Sequence, residues 1–193
     1  MHLTAQQKEI VNNTKKFVEK RKTRFPKGED MLSHNKNVEK FAVEIYQGYK
    51  NIKIFPLILA AHLHDIGLSE SSDHEKHAAI GYDMTKKYLR KYNFITSDQI
   101  ELVALCALNH RGDKKTKRSI EEKIISSAAA MDFIDRSLFL FTEKCKHNKY
   151  NDSVAWIQKI LNKIMTRIEL PEARKIIKPK YNAAKRIFEL ENI

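Results

Sequence analysis

Apolar side chains recur at intervals of three and four residues along this 193-residue chain. That spacing places them on one face of a helix and is typical of amphipathic α-helices packed around a core. No segment convincingly alternates β-branched and polar residues as a half-buried strand would, so the pattern predicts an all-α protein. The predicted helices cover about residues 4–24, 30–49, 56–67, 74–91 and 97–109. Of the helices that follow, one begins at Ser119, one contains Trp156, and the last runs from Pro171 to near Ile193.

Length and composition predict a single domain over residues 1–193, because neither a repeat nor a linker divides the chain. Its two cysteines, Cys106 and Cys145, provide no disulfide framework, and the N-terminal segment lacks the apolar region of a signal peptide. The longest apolar stretch, about residues 54–63, is far shorter than the roughly 20 residues of a membrane span. We therefore expect a cytoplasmic protein that does not associate with membranes.

The formal net charge of +12 is concentrated in residues 8–24, in residues 111–118 and in the region from Lys144 onward. Such a field raises the local concentration of polyanions, so nucleic acid is one open partner. A solvated basic surface is the other interpretation. No basic stretch is interleaved with aromatic residues in a single-strand-binding pattern, so charge alone does not identify a ligand.

The most informative feature is the pair His64-Asp65, which ends an apolar run that starts near Ile54. Buried ionisable groups are normally paired or bound to a metal. A single histidine on an apolar face is ordinarily a satisfied core residue, but further candidate ligands are spread through the chain: His34, His77, His110 and Asp132. Nitrogen and oxygen ligands without sulfur favour a site for Mn, Fe, Ni, Zn or Mg over a structural zinc site.

Two neighbouring histidines do not extend this pattern. His62 lies two residues before His64 and points to nearly the opposite side of a helix, which indicates a structural role. His74 and His77 are three residues apart, whereas the zinc-protease motif requires two histidines four apart with a glutamate between them. A zinc protease is therefore excluded.

In this order the candidate residues resemble the HD-domain superfamily of metal-dependent phosphohydrolases, over about residues 30–136. The resembling segments are 30–38 with His34, 60–67 with His64-Asp65, 77–81 with His77, 109–110 with His110, and 130–136 with Asp132. Two positions depart from the family pattern. Leu68 stands where many members carry lysine, and Arg111 stands where fuller metal sets carry a further histidine.

The resemblance implies an all-helical bundle with a metal site at its centre and with residues 137–193 packed on the core that carries the motifs. It implies one divalent metal bound by four side chains: His34, His64, Asp65 and Asp132. It also implies that His77 and His110 complete a second site, or bind substrate phosphate where a single metal is present. The cofactor would be one or two divalent ions among Mn, Fe, Ni, Zn, Co and Mg.

The implied function is hydrolysis of a phosphoester or phosphoanhydride, with a nucleotide or related phosphorylated small molecule as substrate. His64 and Asp65 are the predicted catalytic residues, with Asp65 bridging two cations. Four basic side chains are predicted to bind the substrate: Arg111, Lys114, Arg118 and Arg136. Two alternatives stay open, a catalytically inactive module that binds nucleotide or nucleic acid, and a di-iron oxygenase of the same superfamily. A homodimer is open as well.

Overall fold

The computed structural model describes residues 3–21, 30–73, 76–112 and 117–189. These residues form nine α-helices and a short 3₁₀ helix at Ile66–Ser69, without a β-strand among them, so the all-α prediction is confirmed. The helices are α1 (Ala5–Glu19), α2 (Met31–Tyr46), α3 (Ile54–Leu63), α4 (Lys76–Leu89), α5 (Ser97–Asn109), α6 (Ile120–Asp135), α7 (Ser137–Cys145), α8 (Tyr150–Arg167) and α9 (Pro171–Glu189). Within the described ranges, no helix is both long enough and apolar enough to cross a bilayer.

Three helices start at a reciprocal side-chain cap. The residue before the helix accepts a hydrogen bond, through its side-chain hydroxyl, from the backbone N–H of the residue three positions later. The side chain of that later residue accepts a hydrogen bond from the backbone N–H of the capping residue. The capping pairs are Thr4 with Gln7, Thr96 with Gln99 and Ser119 with Glu122. Each such cap contributes about 1 kcal/mol and defines where the helix begins. The starts predicted at Thr4 and Ser119 are confirmed.

Helix α3 is the centre of the bundle, because each of its ten residues is buried. It packs against α1, α2, α5 and α6. The sequence predicts a helix as far as Gly67, but α3 ends at Leu63. His64 keeps helical angles, whereas Asp65 (φ −107°, ψ 12°) leaves the helix before the 3₁₀ turn. The apolar run therefore delivers the His64-Asp65 pair to the interior, at a break in the helix.

The 3₁₀ turn and α4 approach each other closely at two glycines. A Cβ on Gly67 would lie 2.0 Å from the carbonyl oxygen of His77 and 2.7 Å from the backbone nitrogen of Gly81. Only a residue without a side chain fits there. This contact holds the first turn of α4, which carries His77, against the segment that follows Asp65.

The C-terminal helices cover one side of this core. Helix α8 buries Val154, Ile157, Leu161 and Ile164, and it packs on α6, α7 and α9. Helix α9 also packs on α6 and contacts α2. The sequence pattern does not separate α7 from α6; the break falls at Arg136, whose angles (φ −96°, ψ 15°) are not helical.

Helix α1 is tied to the core by a charged network. Glu39 on α2 accepts from Lys15 of α1 at 2.9 Å and from Nε2 of His62 at 2.8 Å. Burial raises the pKa of Glu39, but the hydrogen bonds from His62 and Lys15 outweigh it and lower the pKa from 4.5 to about 2. The structural role predicted for His62 agrees with these contacts.

We expect Glu39→Gln to reduce stability at neutral pH by about 1 to 2 kcal/mol, the range for a hydrogen bond to a charged group. Because folding lowers the pKa of Glu39, its contribution is complete above pH 4.5 and is lost as the pH falls from there through about 2. Chemical denaturation between pH 7 and pH 2 should therefore show a weaker acid dependence for the variant. Glu44→Gln, which changes an exposed carboxylate of the same helix, is the control. Equal acid dependence of Glu39→Gln and the unaltered protein would contradict the assignment.

Candidate metal centre

Four helices bring histidines to one point beside Asp65. His34 lies in the first turn of α2, and His77 lies in the first turn of α4. His64 and His110 directly follow the last residues of α3 and α5. The site is thus assembled from helix ends that are distant in sequence.

The imidazole nitrogens converge on the two oxygens of the Asp65 carboxylate. Oδ2 of Asp65 lies 3.4 Å from Nε2 of His34 and 3.2 Å from Nε2 of His64. Oδ1 lies 3.6 Å from Nε2 of His77 and 2.9 Å from Nε2 of His110. The nitrogens within each histidine pair are 3.0 and 3.2 Å apart. Two groups of potential ligands therefore share Asp65, and the ligand atoms within each group lie within 4.8 Å of one another.

Three of the four rings are oriented by backbone carbonyls through their other nitrogen. The Nδ1 contacts are His64 to Ala61 at 3.1 Å, His110 to Ala107 at 2.7 Å and His77 to Asp73 at 3.3 Å. When Nδ1 carries the proton and donates it to a carbonyl, the lone pair of a neutral ring is on Nε2, which faces Asp65. This outer hydrogen bond is typical of metal-binding histidines.

The fourth ring is oriented by Asp132, whose side chain is fully buried. Nδ1 of His34 donates to Oδ2 of Asp132 at 2.6 Å. The same carboxylate accepts from Asn37 at 2.8 Å and from Arg136 through Nε and a terminal nitrogen. The structure therefore places Asp132 on the outer side of the His34 ring, in neither group of potential ligands. Its direct ligation of a metal stays a prediction.

The acids of the site are ionised, and positive charge compensates them. Burial raises the pKa of Asp65, but the charges of His64 and His110 outweigh it and hold the pKa well below its usual range. Burial likewise opposes ionisation of Asp132, yet His34 and Arg136 lower its pKa. Burial lowers the pKa of His34, but hydrogen bonds to Asp132 and Asp65 raise it to about 9. Burial lowers the pKa of His64, although the neighbouring Asp65 carboxylate opposes this shift. A bound cation would therefore take over the charge that the His34 proton supplies.

The basic residues predicted to bind substrate have different surroundings. Arg111 and Arg136 line the cavity that Asp65 faces. Arg118 does not line it: its guanidinium is buried, pairs with Glu169 and donates to the carbonyl of Asn109 at 3.3 Å. These contacts support a structural role for Arg118, and its predicted substrate contact stays a prediction. Lys114 lies outside the described residues.

The cavity in front of Asp65 has a volume of about 360 Å³. His34, His77 and His110 also border it, and α6, α7 and α8 supply other parts of its wall. Lys163 and Arg167 on α8 are also wall residues, and Asn37 contacts Asp132; none of the three was predicted from the sequence. One signal for the first two was available, since cations four residues apart flank the apolar stripe of α8.

The residues fit a divalent cation. Each group offers two imidazoles and one carboxylate, a set that suits Mn, Fe, Co, Ni or Zn. The Nε2 atoms of His34 and His64 lie 3.0 Å apart and can form a hydrogen bond with each other only if one of them carries a proton. A cation between them would satisfy both lone pairs.

We expect Mn²⁺ to stabilise the metal-free protein against heat. At a concentration 100 times the Kd, binding to the folded state alone adds about 2.7 kcal/mol. For a chain of this size that corresponds to a rise in Tm of roughly 5 to 10 °C. Differential scanning fluorimetry with and without chelator measures it, and His147→Ala, at an exposed histidine, is the control. An unchanged Tm at saturating Mn²⁺ would contradict cation binding.

Comparison with known proteins agrees with this geometry. The family model described as HD domain matches residues 31–137, which is more than half of the chain and contains each of the six predicted metal ligands. Searches of curated proteins and of solved structures found no match. The chain belongs to the HD-domain family.

Proposed function

We propose that this protein is a metal-dependent phosphohydrolase that cleaves a phosphoester or phosphoanhydride of a phosphorylated small molecule. The observation that carries the proposal is the pair of ligand groups that share the Asp65 carboxylate at a cavity. Membership of the HD-domain family supports it, because the family consists largely of metal-dependent phosphohydrolases.

Asp65 and the imidazoles are the proposed metal ligands. His34 and His64 would hold one ion together with Asp65, and His77 and His110 would hold a second with the same carboxylate. A cation bound there supplies an acidified water as nucleophile and offsets the charge on phosphate oxygens. The shared carboxylate makes Asp65 the residue on which both ions depend.

Other residues orient this centre and bind the substrate. Asp132 fixes the ring of His34 through a buried hydrogen bond, and Arg136 compensates the charge of Asp132. Burial lowers the pKa of His77 and the nearby charge of Arg111 adds to that effect, but contacts with Asp65 raise the pKa overall. A phosphate held between Arg111 and Asp65 would face the metal ligands. The buried side chain of Leu68 also lines the cavity and leaves this position without a cation.

The proposed substrate class rests on the volume of the cavity and on the basic residues that line it. A volume of about 360 Å³ is within the range of small-molecule sites. A nucleotide or related phosphorylated metabolite is therefore the proposed substrate.

The test is a metal-dependent phosphatase assay. Protein purified without chelator is first analysed for its elements. It is then stripped, reloaded separately with Mn, Fe, Co, Ni, Zn or Mg, and assayed for phosphate release from nucleoside mono-, di- and triphosphates and sugar phosphates. Release that depends on reloading supports the proposal. Metal-loaded protein that binds nucleotides without releasing phosphate would indicate a binding module, and an oxygen-dependent change in colour with iron would indicate an oxygenase. Either outcome would contradict the proposal.

A further inference from the structure

Helix α8, which lies outside the segment matched by the family, forms part of the cavity wall. Four of its residues line the cavity at positions i, i+3, i+4 and i+7, which is a single helical face. They are Ile160, Lys163, Ile164 and Arg167. The cavity face of α8 therefore combines two branched apolar side chains with two cations.

The charged side chains of the wall are predominantly positive. Within the part of the chain that the structure describes, and apart from histidines, two carboxylates (Asp30 and Asp65) and four cations (Arg111, Arg136, Lys163 and Arg167) line the cavity. Arg136 is bound to Asp132, and Asp65 is enclosed by imidazoles. Lys163 and Arg167 therefore add two cationic groups to the cavity wall on the side formed by α8.

The wall also shows how a ligand is recognised. Among the described residues that line the cavity, the side chains are acidic, basic, imidazole or apolar, and none is a neutral amide or hydroxyl. Apolar contacts come from residues such as Phe133, Leu140 and Ile160. Recognition by these side chains therefore relies on charged groups, imidazoles and apolar packing.

A cation near the C-terminus of a helix also stabilises the helix dipole. That effect accounts for a basic residue in the last turn of α8, but it applies on any face of the helix. Lys159 is an exposed lysine of the same helix that does not line the cavity, and it provides a matched comparison.

We infer that α8 is a substrate-binding element in which Lys163 and Arg167 bind a second anionic group, a phosphate or carboxylate, of a substrate whose reacting phosphate lies at Asp65. This inference rests on the proposed function for the position of the reacting phosphate. The preferred substrates then carry two separated anionic groups joined by an apolar or planar body.

The test compares matched pairs of ligands on the full, Mn²⁺-loaded chain. One pair is adenosine 5′-monophosphate and adenosine 3′,5′-bisphosphate, and the other is phenyl phosphate and 4-carboxyphenyl phosphate. Calorimetry gives the Kd of each, and phosphate release gives kcat/KM. We expect the unaltered protein to bind the member with two separated anionic groups about tenfold or more tightly in at least one pair, as charge-assisted contacts allow.

That preference should disappear in the double variant Lys163→Ala/Arg167→Ala and persist in Lys159→Ala. Lys163→Gln alone, at an exposed position, should reduce it severalfold and serves if the double variant does not fold. The inference is overturned if neither pair shows a preference, or if the variants weaken both members of a pair equally. A preference lost with Lys163 and Arg167, without phosphate release from any ligand, would support α8 as an anion site while contradicting the proposed hydrolase.

Discussion

Replacing Asp65 by alanine is expected to lower phosphate release by roughly 10³-fold or more, the loss typical when electrostatic stabilisation of the transition state is removed. Both oxygens of Asp65 contact imidazole nitrogens, so one substitution removes a ligand from both proposed metal positions. Steady-state assays on metal-reloaded protein measure the loss, and elemental analysis of the same samples should show fewer bound ions.

The helical fold should survive this change. Asp65 lies between α3 and the 3₁₀ turn and makes no side-chain cap at that turn, so its side chain is not needed to start or end a helix. Circular dichroism of Asp65→Ala should therefore match that of the unaltered protein. Asp83→Ala, which removes an exposed carboxylate of α4, is the control and should retain activity. Full turnover in a folded, reloaded Asp65→Ala protein would contradict the mechanism.

Replacing Gly67 by alanine is expected to destabilise the protein by about 3 kcal/mol or more, the upper range for overpacking a core. The new Cβ would lie 2.0 Å from the His77 carbonyl oxygen and 2.7 Å from the Gly81 nitrogen, and both of these atoms belong to the backbone of α4. Backbone does not move aside as a flexible side chain does, so α4 must shift and carry His77 away from Asp65. Urea denaturation measures the loss.

Gly81→Ala is the matched control across the same contact. Its Cβ would find its nearest neighbour at 3.4 Å, an ordinary packing distance. Since alanine is favoured over glycine inside a helix by roughly 1 kcal/mol, this variant should be as stable as the unaltered protein or more stable. Equal effects of the two substitutions would show that the close approach at Gly67 does not hold α4 in place.

Much of the fold was predictable because helix formation here depends on local signals. The three- and four-residue spacing of apolar residues and the caps at Thr4 and Ser119 correctly indicated helix type and starts. The histidines predicted as ligands, His34, His64, His77 and His110, lie together around Asp65. That they bind a metal stays a prediction.

The remaining features depend on tertiary contacts that no local pattern encodes. Arg118 was predicted to bind substrate from its place in a basic segment, but Glu169, fifty-one positions away, is its partner. Packing of α6 on α2 places Asp132 at Nδ1 of His34, a contact that no local pattern indicated. Lys163 and Arg167 reach the cavity because α8 packs on α6.

The most direct test of the metal centre is anomalous diffraction from crystals of the full chain soaked in Mn²⁺. We expect at least one anomalous peak beside Asp65, within roughly 2.0 to 2.4 Å of a carboxylate oxygen and of Nε2 atoms from one histidine pair. Absence of a peak at saturating Mn²⁺, or a peak elsewhere with the imidazoles of His34 and His64 turned apart, would contradict it.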